Sequence, residues 1–143
     1  MSTDLWPDWN SPEYTMTAED GRRDRFGVEE RKLLAAFSTV IIAKQGGRIT
    51  RIAGSIEPLP GVIRDFKIIV PERYPYEPPV ALSVGWACTG KHRFSDSEMC
   101  LWRKNLWSPR YTLGYAVAKT FVWIHKHEVY RSTHKWPGRE QDH

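Results

Sequence analysis

A proline-rich connector in the middle of the chain constrains the fold more than any other feature. The stretch 74–79, Tyr-Pro-Tyr-Glu-Pro-Pro, places three prolines within five residues. Proline has no backbone donor and fixes its φ angle, so this stretch cannot lie in a helix or in a central strand. The apolar segments before and after it must therefore be separate elements that a rigid connector joins.

β-Branched residues on both sides of the connector predict strands. We predict strands over 49–57 and 62–70, where isoleucine and valine recur. The Pro-Leu-Pro-Gly run at 58–61 favours antiparallel pairing of these two strands. Alternating residues after the connector predict a third strand over 80–84.

Two segments have the periodicity of helices. Apolar residues at helical spacing predict a first helix over about 28–44, and the glycine pair at 46–47 is placed to end it in a left-handed cap. Thr112 has the character of a helix start, and the apolar rows that follow predict a second helix over 113–130.

Between the third strand and the second helix, residues 88–111 show no pattern of a regular element longer than a turn. Long irregular segments in compact domains are usually functional. The predicted order is therefore an N-terminal helix, three or four antiparallel strands, a long active-site segment and a C-terminal helix. Strands grouped between helices predict the α+β class, with the helices on one face or at the ends of the sheet.

Composition adds limits on the class of protein. The 143 residues predict one domain over 1–143, in which 1–16 form an extended arm and 132–143 form a tail with a Trp-Pro-Gly turn. No run reaches the length of a membrane span and the start lacks a signal segment, which predicts a cytoplasmic protein without membrane contact. The net charge of +4 is dispersed and not interleaved with aromatic residues, so nucleic-acid binding is not predicted.

Cys100 is the candidate for chemistry within the irregular segment. It follows the polar, turn-prone run 95–98, and apolar anchors flank it at 101–102 and 106–107. A thiol at the edge of a polar loop is often accessible, and an accessible thiolate is a nucleophile. The local sequence equally allows a small core residue in a loop that happens to be polar.

Three motifs, in this order, resemble those of the ubiquitin-conjugating enzymes. The stretch 74–79 is similar to the family's Tyr-Pro-x-x-Pro-Pro flap, which lies between two strands. The Cys-Leu pair that begins at Cys100, reached after His92, is similar to the family's catalytic Cys-Leu. Trp-Ser-Pro at 107–109, with Thr-Leu at 112–113, is similar to the turn that leads into the helix after the active site.

The resemblance covers about residues 26–131. It implies the ubiquitin-conjugating fold and a reaction in which Cys100 accepts a partner's C-terminal carboxyl as a thioester, with transfer to an amine as the next step. The Cys-Leu-Trp form, the Trp-Pro-Gly tail and the terminal His143 are more similar to the bacterial branch, some of whose members act in cyclic-oligonucleotide anti-phage defence (CBASS). That branch implies a cGAS-like nucleotidyltransferase as the partner, the alternative being a ubiquitin-like protein. No cofactor is expected.

The sequence departs from the family just before the cysteine. Eukaryotic members have His-Pro-Asn there, and the asparagine serves the oxyanion of the attacked thioester; here the triplet is His92-Arg93-Phe94. Loss of one oxyanion donor costs roughly 3 kcal/mol of transition-state stabilisation. Either Asn105 or backbone N–H groups replace the donor, or transfer to lysine is slow. Thioester formation itself needs mainly an accessible thiolate.

Neighbours of the cysteine are assigned supporting roles. His92 either pins the loop through a hydrogen bond or acts as a base near Cys100, and the resemblance implies the first. Trp102 and Trp107 are predicted to bracket the segment by packing. The candidates for contact with a partner are Arg103, Lys104 and Tyr76, although for the basic pair a solvated surface is the favoured interpretation.

Alternatives to the carrier hypothesis are open. The absent asparagine also fits a catalytically silent protein-binding module on the same fold. Cys88, His92 and Cys100 offer zinc ligands within one segment, but no Cys-x-x-Cys pair or fourth ligand supports them, so no metal is predicted. Cys88 is then a small packed thiol. His125 lies in an apolar helical row and is predicted to be a satisfied core residue.

Overall fold

A computed structural model describes residues 8–102 and 106–138 of the chain. Within these residues the fold is α+β, as predicted, with one four-stranded antiparallel sheet and two α-helices. The elements, in chain order, are α1 (Arg25–Ala36), β1 (Ile41–Gln45), β2 (Arg48–Leu59), β3 (Val62–Ile69), β4 (Val80–Val84) and α2 (Leu113–Thr133).

The sheet has the strand order β1-β2-β3-β4, so each strand pairs with its neighbour in sequence. Ile52 of β2 lies opposite Ile68 of β3, which lies opposite Ala81 of β4. All three side chains are buried on the inner face of the sheet. Side chains of α2, among them Val117 and Ile124, complete the core against this face.

The predicted first helix is wrong in its second half. Helix α1 ends at Ala36, and residues 41–44, which were assigned to the helix, belong to β1 instead. Gly46 and Gly47 are not a helix cap: their φ angles of 60° and 79° form the two-residue turn between β1 and β2. Positive φ at both central positions is what a tight hairpin turn of this type requires. β-Branched residues at 40–42 favour a strand once a partner strand is present.

The strands beside the proline-rich connector are confirmed. β2, β3 and β4 fall where strands were predicted, with β2 and β3 paired across the Pro-Gly turn at 60–61. The connector, 74–79, forms turns between β3 and β4. Helix α2 begins after Thr112, whose side chain accepts a hydrogen bond from the Tyr115 amide. The helix ends three residues beyond the predicted end at 130.

The N-terminal segment packs on the start of α2. Residues 8–14 of the predicted extended arm form consecutive turns instead. The Thr112 amide donates to the Tyr14 carbonyl at 3.1 Å, and the Thr112 hydroxyl donates to the Glu13 carbonyl at 2.7 Å. Trp9 packs edge-on against Tyr115, with ring centroids 5.2 Å apart. The backbone carbonyls of Glu13 and Tyr14 are thus satisfied by Thr112 at the start of α2.

The long segment 88–111 is irregular throughout its described part, as predicted. Its middle runs along the edge strand β4: the Ser83 amide donates to the Ser97 carbonyl at 2.8 Å, and the Met99 amide donates to the Ala81 carbonyl at 3.0 Å. These bonds fix the backbone immediately before Cys100 against the sheet. No helix in the described part of the chain is both long and apolar enough to cross a lipid bilayer.

Candidate functional site

Cys100 lies at the point where the irregular segment leaves the sheet. Met99, just before it, is buried and bonded to β4, while Cys100 itself is half-buried. The Cys100 amide donates to the His92 carbonyl at 3.2 Å, and Sγ lies 3.6 Å from the carbonyl oxygen of Trp102. The thiol is therefore held in one place by its own segment without being sealed inside the core.

The surroundings of Cys100 favour the neutral thiol. Burial raises the pKa of the Cys100 thiol above its usual range, and the nearby carboxylate of Glu98 raises it further. The ammonium group of Lys119 on α2 acts in the opposite direction. At neutral pH the resting cysteine is therefore protonated, and a group that takes up the thiol proton is needed before Sγ can act as a nucleophile.

Lys119 is a cation that the sequence reasoning missed. It is only 5% exposed, and its ammonium group lies 5.2 Å from the ring centre of Trp9. Its position in the run 116–120 indicated burial, because helical periodicity places the neighbouring residues in the core. A buried ammonium near a thiol stabilises negative charge on the sulfur.

Trp102 and Trp107 pack around the residues near Cys100 (93–102, the cysteine segment), as predicted. Trp102 is buried and stacks on Tyr115 of α2, with ring centroids 5.5 Å apart and an interplanar angle of 13°. Trp107 lies 5.2 Å from Trp102, centroid to centroid, and its indole N–H donates to the Pro75 carbonyl at 2.8 Å. Trp107 therefore joins the segment after the cysteine to the proline-rich connector.

His92 pins the loop through its backbone. Its carbonyl oxygen accepts hydrogen bonds from the Trp123 indole at 2.8 Å and from the Cys100 amide at 3.2 Å. Its imidazole is buried against Trp136 of the C-terminal turn, with ring centroids 4.5 Å apart. These two hydrogen bonds are made by the main-chain carbonyl, whereas the prediction assigned the pinning role to the imidazole.

Of the remaining predicted site residues, one lies in the described part of the chain and three do not. Tyr76 lies on the proline-rich connector and is 75% exposed. Arg103, Lys104 and Asn105 lie outside the described residues.

An apolar groove lies beside the cysteine segment. It has a volume of about 330 Å³, at the lower end of the range of pockets that hold a small ligand. One wall comes from the connector and β4, and the other from the residues on both sides of Cys100. The lining residues are Pro78, Pro79, Val80, Ala81, Phe94, Glu98, Met99, Leu101 and Trp102.

The zinc alternative finds no support in the positions of its ligands. Among residues 8–102 and 106–138, no three His, Cys, Asp or Glu side chains are grouped to hold a metal ion. Cys88 is buried, as predicted for a packed thiol, and its amide donates to the Asp96 carbonyl at 2.7 Å. The hypothesis of a site formed by Cys88, His92 and Cys100 is therefore dropped.

The prediction for His125 is wrong, and the buried histidine of α2 is His127. His125 is exposed, because the row it shares with Val129 turns outward along the helix. His127 is fully buried and bonds to Thr89 and Glu128. The spacing 117–120–124–127 places His127 on the buried row, so helical periodicity contained the signal.

A second buried cluster, also missed, joins α1 to the approach to α2. Glu29 is fully buried and accepts hydrogen bonds from the Leu113 amide at 2.7 Å, from Arg25 at 3.1 Å and from the Tyr74 hydroxyl. Burial raises the pKa of the Glu29 carboxyl, and these donors oppose the rise. Arg25 also donates to the Tyr111 carbonyl at 2.7 Å. The cluster fixes the connector and the start of α2 on either side of the cysteine segment.

Comparison with known proteins does not extend this description. No protein-family model matches the chain, and no curated protein matches its sequence. The structure thus defines an α+β domain with a half-buried, protonated cysteine on an irregular segment beside an apolar groove. Such a cysteine can form a covalent bond to a carbonyl carbon once a base has taken up the thiol proton.

Proposed function

We propose that this chain is a thioester-forming acyl carrier of the ubiquitin-conjugating kind, in which Cys100 accepts the C-terminal carboxyl of a partner protein. The observation that carries the proposal is the half-buried Cys100 thiol, whose chain neighbours Met99 and Leu101 line the apolar groove. The order of elements, one helix, four antiparallel strands, an irregular segment and a second helix, is compatible with that fold.

The proposed reaction is a nucleophilic acyl transfer. Sγ of Cys100 attacks the carbonyl carbon of a carboxyl that arrives as an acyl adenylate or as a thioester on another protein. The new S–C bond forms, the bond to AMP or to the donor sulfur breaks, and the thiol proton passes to a base. Because the pKa of Cys100 is raised, the base that takes up the proton acts when the acyl donor is bound. The ammonium group of Lys119 favours the thiolate as it forms.

The groove supports an extended chain end as the substrate. Its walls are apolar on the side of Pro78 and Pro79, and among the described residues that line it Glu98 is the one that carries a charge. Exposed aromatic side chains stand on the two segments that form it, Tyr76 on the connector and Phe94 before the cysteine. Large exposed apolar side chains beside a groove are typical of surfaces that bind a partner. Arg103 and Lys104 stay candidates for contact with an acidic tail.

The identity of the partner is proposed from the motifs alone. The Cys-Leu-Trp form favours the bacterial, anti-phage branch of the family, and with it the C-terminus of a cGAS-like nucleotidyltransferase, before a ubiquitin-like protein. A cytoplasmic location is part of the same proposal. Since the triplet His92-Arg93-Phe94 has no asparagine, we expect slow transfer to lysine and a long-lived thioester, with Asn105 as the candidate donor to the oxyanion.

A gel assay tests the carrier function. The protein is incubated with ATP, an activating enzyme and the candidate partner, and separated without reducing agent. We expect a band of the combined mass that a thiol reagent removes, that is lost in Cys100→Ala, and that is kept in Cys88→Ala, the matched control at the other cysteine. Persistence of the adduct in Cys100→Ala contradicts the proposal.

A second candidate function is a silent module that binds a protein tail without covalent chemistry. The raised pKa of Cys100 favours it, because a protonated thiol is a poor nucleophile. It predicts that the partner's C-terminal peptide binds equally well to wild type and Cys100→Ala, and that no adduct forms. An adduct that requires Cys100 decides for the carrier.

A further inference from the structure

A buried network joins α2 to the turn that precedes the cysteine segment. The Nε2 atom of His127 lies 3.0 Å from both the backbone nitrogen and Oγ1 of Thr89. The Nδ1 atom lies 3.0 Å from Oε2 of Glu128. A backbone N–H can only donate, so Nε2 must carry a lone pair, and the imidazole proton lies on Nδ1, where it is donated to Glu128.

One helical turn earlier, Trp123 holds the other end of the same turn. Its indole N–H donates to the His92 carbonyl at 2.8 Å, and its ring stacks on His127 with centroids 4.9 Å apart. The same His92 oxygen accepts the amide of Cys100 at 3.2 Å. Two stacked side chains of α2 thus fix both ends of the turn 89–92, and the backbone of Cys100 is bonded to one of those ends.

We propose that His127, acting through Thr89, is a positioning residue for Cys100, and that it holds the cysteine segment in place only while its imidazole is neutral. When Nε2 is protonated it carries a hydrogen that faces the hydrogen of the Thr89 N–H. Nε2 then no longer accepts the hydrogen bond from Thr89. The turn 89–92 then loses its attachment to His127. The consequence for catalysis rests on the proposed carrier function; the hydrogen bonds themselves do not.

The charges around the imidazole decide at which pH the change occurs. Glu128 beside Nδ1 favours the protonated form, whereas Arg64 of β3, bonded to Glu128 at 3.0 Å, and Arg131 of α2 oppose it. The loop contributes the neutral ring of Trp86, with centroids 5.3 Å apart. Burial is the largest effect and lowers the pKa of His127. Because the folded pKa is depressed, the network is intact at neutral pH and its stabilisation is lost as pH falls below about 6.5.

Two-dimensional ¹H–¹⁵N NMR of the full chain tests the inference. In wild type, we expect the amide signals of Thr89 and Cys100 to shift along one titration curve with a midpoint below about 6.5. Below that midpoint the neutral fraction falls about tenfold per pH unit. His127→Gln keeps an acceptor that does not titrate, so both shifts disappear. His125→Gln changes the exposed histidine of the same helix and leaves both shifts as in wild type.

A Cys100 amide that stays fixed through the titration of His127, or moves equally in His127→Gln, overturns the inference. An imidazole that is still neutral when the chain begins to unfold overturns it as well. The wild-type titration gives this answer by itself if the glutamine variant does not fold.

The thioester assay, repeated over the same pH range, separates this inference from the carrier function. Adduct yield is expected to fall with the Cys100 amide titration in wild type and in His125→Gln, and to be flat in His127→Gln after correction for thiol ionisation. A yield that ignores the amide titration overturns the positioning role. If no adduct forms at any pH, the carrier function fails, while the NMR titration still decides how His127 holds the turn.

Discussion

At the scale of single residues, the protonation state of Cys100 separates this site from a preformed nucleophile. The thiol is fixed in position by the backbone bonds of Met99 and Cys100, yet its surroundings favour the neutral form. The position of the thiol is thus set by the sheet edge, whereas its reactivity depends on a group that takes up its proton. A cysteine of this kind is protected from casual oxidation and alkylation in the resting protein.

We predict that alkylation of Cys100 by iodoacetamide, followed by mass spectrometry in the Cys88→Ala background, has a pH midpoint above that of the same cysteine in urea-unfolded protein. The unfolded chain is the internal reference because it restores ordinary solvation. Lys119→Met removes the cation that favours the thiolate and is expected to move the folded midpoint higher still. A folded midpoint equal to or below the unfolded one contradicts the assignment.

At the scale of elements, α2 depends on a cap with two functions. The Thr112 hydroxyl accepts from the Tyr115 amide at 3.2 Å and donates to the Glu13 carbonyl at 2.7 Å. It therefore satisfies one free donor at the helix start and attaches the N-terminal turns. The helix carries Lys119, Trp123 and His127, so its start sets the register of every α2 group near the cysteine segment.

Thr112→Ala is predicted to lower the free energy of unfolding by about 1–2 kcal/mol, since it removes the cap bond together with the tie to Glu13. Urea denaturation measures the change. Thr133→Ala, at the exposed end of the same helix, is the control and should stay within about 0.5 kcal/mol of wild type. Equal losses of unfolding free energy in the two variants would contradict the prediction.

The sheet has one position where even a methyl group does not fit. A Cβ at Gly54 of β2 meets Cζ of Phe66 at 2.8 Å and Cε1 at 3.1 Å. Gly54→Ala is predicted to destabilise the fold by about 1–3 kcal/mol, because the Phe66 ring must shift within a packed core. Gly21→Ala, where no atom lies within 4 Å, is the control. Thermal denaturation of both variants checks the prediction.

At the scale of the whole molecule, the buried cluster around Glu29 joins parts of the chain that are distant in sequence. Glu29 and Arg25 belong to α1, Tyr74 to the proline-rich connector, and Leu113 to α2. The carboxylate accepts each of these hydrogen bonds, so its removal leaves several buried donors without an acceptor. The cluster therefore holds the two sides of the cysteine segment relative to α1.

Glu29→Ala is predicted to cost about 3–5 kcal/mol of unfolding free energy, as expected when one member of a buried ion pair is removed. Glu30→Ala, which breaks the partly exposed pair with Lys44, should cost less than about 1 kcal/mol. Chemical denaturation of the two neighbouring variants makes the comparison. Similar small losses in both would show that the cluster around Glu29 contributes little to the fold.

The sequence by itself determined the features that depend on local pattern. The three strands beside the connector, the cap and start of α2, the irregular segment and the packed Cys88 follow from β-branched runs, prolines, one threonine and periodicity, all of which act over a few residues. The placement of Cys100 on an irregular segment between apolar anchors belongs to the same class.

Only the tertiary structure decided the features that depend on distant partners. The segment at 41–45 is compatible with a helix until β2 pairs with it, and a glycine pair suits a cap or a hairpin equally well. Burial of Glu29 and the protonation of Cys100 arise from solvent exclusion by residues far along the chain, and desolvation and long-range charge leave no mark in the local sequence.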